Sequence, residues 1–72
     1  MAYIARMLVR LNGELRELPD GTTVAALLRL LGVKPARVAV LVNEAVVVRA
    51  RHEEHVIGAG DAVEIVALVA GA

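Results

Sequence analysis

Side chains alternate from Tyr3 to Leu11, with Arg6, Leu8 and Arg10 on one face of an extended chain and Met7, Val9 and Leu11 on the other. A period of two predicts a half-buried strand. Asn12-Gly13 follows. Both residues tolerate positive φ, so this dipeptide predicts a tight hairpin. Glu14 to Leu18 should return as an antiparallel strand with Leu15 and Leu18 facing in, ended by Pro19-Asp20-Gly21.

The period then changes. Val24, Leu27, Leu28 and Leu31 fall at i, i+3, i+4 and i+7, one apolar stripe on a helix. Thr22 or Thr23 can cap its start through a hydroxyl oxygen. Gly32 suits the left-handed position after its end, and Pro35 prevents the helix from resuming. So short a helix needs a sheet to pack on. Val38 to Val42 is an unbroken apolar run, expected to be a strand buried on both faces or nearly so. Asn43-Glu44 turns the chain, and Ala45 to Val48 reads as a short strand. Arg49 to His55 is polar, with room for one helical turn. Gly58-Ala59-Gly60-Asp61 is a turn, and Ala62 to Val69 is the last strand, with Val63 and Ile65 on one side and Glu64 and Val66 on the other.

A hairpin, a helical crossover and further strands predict an α+β fold, with a mixed sheet of four to five strands and one main helix packed on one face. The 72 residues suffice for one domain, taken as 1–72 with 69–72 as a tail. A domain near that size buries only ~60% of its unfolded surface. The supply of Val, Leu, Ala and Ile offsets this, because 58% of the residues are hydrophobic.

Charge and chemistry narrow the function. Eight basic and eight acidic residues balance, so no basic field points to nucleic acid or to an anionic membrane. Tyr3 is the single aromatic residue, which leaves little for base stacking. With no cysteine, thiolate metal sites, disulfides and a cysteine nucleophile are excluded from this chain, and a cytoplasmic location is expected. The N-terminal apolar run is broken by Arg6 and Arg10, unlike a signal peptide. No stretch approaches the roughly 18 apolar residues of a membrane span. His52 and His55 stand three apart but lack obvious further ligands beyond Glu53 and Glu54, so a solvated polar turn is expected there. Gly58-Ala59-Gly60 lacks the Lys and helix of a phosphate loop and reads as a plain turn.

The predicted element order is that of the β-grasp, or ubiquitin-like, fold. Within it, Leu11-Asn12-Gly13-Glu14, Asp20-Gly21-Thr22-Thr23-Val24, Val38-Ala39-Val40-Leu41-Val42-Asn43-Glu44 and Gly60-Asp61-Ala62-Val63-Glu64-Ile65-Val66 stand in the same order. Together they resemble the bacterial sulfur-carrier proteins of thiamine biosynthesis, the ThiS family. The resemblance spans Leu8 to Ala72, and the ordered set is more specific than any one motif. It implies a carrier that is not itself an enzyme and needs no cofactor. Its C-terminal carboxylate would be adenylated by an E1-like, ThiF-like adenylyltransferase and converted to a thiocarboxylate. That group would give sulfur to a ThiG-like thiazole synthase. The small, MoaD-like subunit of molybdopterin synthase shares the fold and the tail. The short chain and the Asn-Gly-Glu hairpin favour the thiamine branch. The same scaffold would also suit a ubiquitin-like protein modifier, or a non-covalent interaction module without sulfur transfer.

The resemblance assigns the sulfur-carrying position to the tail, Gly71 and Ala72, where the family pattern ends Gly-Gly. Entering another protein's active site requires a thin, projecting segment, and glycine permits close backbone approach. Val69 and Ala70 lead to that end. Leu41, Val66 and Leu68, with Val69 and Ala70, are the residues expected to dock the partners beside the tail.

Overall fold

The computed structural model describes residues 5–68. Strand β1 (Arg6–Leu11) turns through Asn12-Gly13 into β2 (Glu14–Pro19). Tyr3 and Ile4, expected to begin β1, lie outside the described residues. Asn12 has φ 50° and Gly13 has φ 85°, so the two left-handed residues match the twist of the strands they join. Helix α1 (Val24–Leu31) follows, then a 3-10 turn (Pro35–Arg37), β3 (Val38–Val42), β4 (Ala45–Val47), a second 3-10 turn (Arg49–Arg51) and β5 (Ala62–Ala67).

The five strands form one mixed sheet in the order β2-β1-β5-β3-β4. β5 is central. It runs parallel to β1 through Arg10↔Ala62 and Leu11↔Val63, and antiparallel to β3 from Val42↔Val63 to Val38↔Ala67. Met7, Val9, Leu11, Val40, Val42 and Val63 bury one face against Val24, Leu27 and Leu28 of α1. The core is wholly aliphatic apart from the Met7 thioether.

Thr23, rather than Thr22, caps α1, its hydroxyl accepting from Ala26 N at 3.1 Å. Thr22 is buried and donates its hydroxyl to Pro19 O instead. The polar turn before β5 completes the cap, because Val24 N donates to His55 O and Ala25 N to His52 O, both at 3.0 Å. Three amides that a helix start leaves without intrahelical partners are thus satisfied. At the other end Gly32 takes φ 69° and donates to the Arg29 and Leu28 carbonyls.

Several expectations change. Leu18 is buried at 4% exposure, but Leu15 stands 66% exposed. Residues three apart on a strand point to opposite faces, and the pairing Arg10↔Leu15 puts Leu15 on the face of Arg10, away from α1. β3 is buried on one face only. Val40 and Val42 meet the helix, whereas Leu41 is half-buried because no element among the described residues covers the sheet's other side. β4 ends at Val47, one residue early, and β5 ends at Ala67. The polar turn is not fully solvated either, for His52 is only 5% exposed. Its Nε2 lies 3.0 Å from Val47 O, which makes that nitrogen the donor, and its Nδ1 is buried without a partner. Ile57, which the pattern did not single out, is 1% exposed and belongs to the core.

Candidate functional site at the end of the central strand

β5 carries the chain toward its C-terminal residues, and both hairpin tips brace it. Asn43, at φ 51° in the β3–β4 turn, donates through Nδ2 to Asp61 Oδ1 and accepts at Oδ1 from Ala62 N, each at 3.0 Å. Asp61 Oδ2 also accepts from Gly58 N at 2.8 Å, which closes the turn before the strand. At the other tip, Asn12 Oδ1 accepts from Ile65 N at 2.8 Å, replacing a backbone carbonyl where β1 ends. The antiparallel ladder to β3 runs on, and Leu68 N donates to Arg37 O at 2.8 Å. The described chain therefore leaves the sheet beside the Pro35–Arg37 turn, held as far as Leu68.

The uncovered sheet face lies beside this exit. Val66 on β5 pairs with Ala39 and is 46% exposed; Leu68 is 57% exposed. Leu41 on β3 stands beside Glu64 and Val46, on the same face as Val66 and diagonal to it. The structure thus brings Leu41, Val66 and Leu68 to one side of the molecule. Val69, Ala70, Gly71 and Ala72 lie outside the described residues.

Sequence reasoning missed Val46, an exposed neighbour of Leu41 on the same face. The run Ala45 to Val48 is apolar throughout, so it carried no signal of which valine faces out. Leu8 and Leu15 are exposed on this face too, at its β1–β2 end, with Arg10 between the strands' apolar positions. Arg10 and Glu64 separate this end from the cluster of Leu41, Val46 and Val66, and an exposed apolar cluster of that kind is a candidate interaction surface. No charged pair is buried here; the two ion pairs among the described residues, Arg29–Glu53 and Arg51–Glu54, are exposed and on other elements. Among the described residues no three His, Cys, Asp or Glu side chains gather as a metal set. His52 has one ring nitrogen on Val47 O and the other enclosed.

The sequence model of the ThiS family matches residues 9–71. The chain belongs to the ThiS family. Among solved structures it is similar to the thiamine biosynthesis protein ThiS from Geobacter metallireducens, with a TM-score of 0.81 and 28% identity. That likeness covers 92% of this chain and all of the other. No curated protein gives a significant match. The ThiS match extends through β5 and onward to Gly71, so it spans Leu41, Val66 and Leu68. The β-grasp architecture and its helix-covered mixed sheet are those expected of the family. No helix among the described residues is long and apolar enough to cross a membrane.

Proposed function

We propose that this chain is a sulfur carrier of thiamine biosynthesis, a single β-grasp domain over 1–72 that works through its tail at 69–72 and is not itself a catalyst. The observation that carries this reading is ThiS family membership through Gly71, on a fold whose central strand leads into that segment. In the reading, the tail carboxylate attacks the α-phosphorus of ATP in an E1-like adenylyltransferase, forming an acyl-adenylate as pyrophosphate leaves. The carboxylate oxygen, a poor leaving group as it stands, then departs with AMP when a sulfide-level sulfur nucleophile attacks the acyl carbon. The resulting thiocarboxylate gives its sulfur to a thiazole synthase. This chain supplies position rather than chemistry. The ladder from β3 and the Asn12 brace orient the strand up to Leu68, and the aliphatic face of Leu41, Val66 and Leu68 meets the partner. Both partners work in the cytoplasm in this reading.

Ala72 puts a methyl group next to the reacting carboxylate, where the family pattern has glycine. It leaves the carboxyl chemistry intact and narrows the backbone freedom available in a tight channel. Mass spectrometry after incubation with the adenylyltransferase, ATP and a sulfur donor tests the proposal directly. The expected product shows one oxygen-to-sulfur exchange, in the native chain and with greater yield in Ala72→Gly. If neither form is ever activated, the sulfur-carrier reading fails. Transfer to the large subunit of molybdopterin synthase, in place of thiazole synthase, would move the protein to the other branch.

A further inference from the structure

A second surface lies away from the tail. Among the described residues β2 is an edge strand, paired with β1 alone. The hydrogen bond from Asp20 N to Ala5 O sets the phase of that pairing, and hydrogen-bonded partners alternate along an antiparallel pair. Met7/Leu18, Val9/Arg16 and Leu11/Glu14 therefore exchange backbone hydrogen bonds. Leu15 and Glu17 direct their peptide groups outward, as does Pro19, which has no N–H and whose carbonyl is taken by Thr22. Between this edge and α1 runs a cleft of about 320 Å³, lined by Arg6, Arg16, Leu18, Leu27, Leu30 and Leu31, with Glu17 and Pro19 at its edge. Leu18 and Leu27 form a buried floor, while Leu30 stands 65% exposed on the helix side. Arg6 and Arg16 make no ion pair among the described residues, and Glu17 is the single acid of the lining.

We propose that this cleft binds an extended segment of a partner protein, aliphatic at its centre and acidic at its flanks, laid along β2 as an added strand. Each part of the cleft selects one property of that segment. The outward amides and carbonyls of Leu15 and Glu17 accept a strand backbone, and a strand's period of two sends alternate side chains into the cleft against Leu27, Leu30 and Leu31. The two unpaired guanidiniums favour carboxylates at the flanks. Pro19 ends the ladder, so the segment is short. β2 is separated from β5 by β1, and β5 leaves the sheet on the side of Arg37. A partner can therefore hold this cleft while the tail is engaged elsewhere.

The test is an NMR titration of the isotopically labelled full chain with the peptide acetyl-Glu-Ile-Val-Leu-Asp-Glu-amide. Saturable shifts are expected at the amides of Leu15, Arg16, Glu17, Leu18 and Leu30, with those of Leu41, Val66 and Leu68 unmoved. Arg16→Glu, and replacement of the peptide's acids by lysine, should each weaken binding about tenfold. Leu30→Glu should do the same. Both positions are exposed, and an unchanged unfolding midpoint verifies the fold; if Leu30→Glu fails that check, Arg16→Glu carries the result. No saturable shift, shifts centred on Leu41 and Val66, or equal binding of the lysine peptide overturns the proposal. It is also overturned if the peptide binds only after residues 1–4 are removed, or if a second copy fills the cleft, seen as concentration-dependent shifts without peptide. The experiment uses no activating enzyme, so its failure leaves the sulfur-carrier reading untouched.

Discussion

Asn12 Oδ1 accepts the amide hydrogen of Ile65 at 2.8 Å, joining the tip of the first hairpin to the second half of the central strand 53 residues away. Asn12 therefore has two roles, a left-handed turn residue at φ 50° and a side-chain stand-in for the missing continuation of β1. Two substitutions separate them. Asn12→Gly keeps the turn and loses the bond, at a cost of about 1 kcal/mol. Asn12→Ala loses the bond and strains a left-handed position, at a cost of about 2–3 kcal/mol. Urea unfolding measures both, and hydrogen exchange at Ile65 should accelerate in each. Unaltered exchange at Ile65 would show that the side-chain bond does not protect β5.

The hairpin register predicts opposite responses from two leucines. Leu18→Ala removes a side chain packed in the core and should destabilise by about 2–4 kcal/mol. Leu15→Glu, on the open face, should change stability by no more than about 0.5 kcal/mol. A large loss from Leu15→Glu would contradict the pairing of Leu15 with Arg10.

His52 is a buried structural residue with one hydrogen bond and one orphaned nitrogen. Replacing it by Leu removes the orphan but strands the Val47 carbonyl, and the two effects should offset to within about 1 kcal/mol. Replacing it by Ala also opens a cavity under the turn that caps α1, so a loss of about 2 kcal/mol or more is expected. Equal unfolding free energies for the two variants would refute this account.

Leu68 lies where the described chain leaves the sheet, and its side chain is exposed. Leu68→Glu should leave the unfolding midpoint unchanged and weaken binding to the adenylyltransferase at least about tenfold, which is about 1.4 kcal/mol. Titration calorimetry with each partner is the measurement. Unchanged affinity for both partners removes Leu68 from the docking face.

The family and the fold could be read without coordinates. The face of Val66 follows from alternation along β5, whereas the unbroken apolar run Val38–Val42 hid that Leu41 faces away from the helix, and the ThiS resemblance is confirmed by the family match over residues 9–71. Val46 was not legible, because Ala45 to Val48 is apolar throughout and only the structure shows Val47 buried and Val46 exposed. The β2–α1 cleft was not legible, because it joins an edge strand to a helix face and no local pattern records which strand is at the edge.

The sequence by itself determined the local geometry. Asn12-Gly13 turns where it does because both residues tolerate positive φ, and Gly32 ends the helix for reasons within a few bonds of it. Alternation likewise separated Met7, Val9 and Leu11 from Arg6, Leu8 and Arg10. Only the tertiary structure decided which face of each strand the helix would cover, and so whether Leu15 or Leu18 would be buried. It alone buried His52, brought Ile57 into the core and placed Asn12 against Ile65. These outcomes depend on register and on contacts between segments far apart in the chain. A side chain's own chemistry sets what its burial costs, but the elements that arrive around it decide whether it is buried.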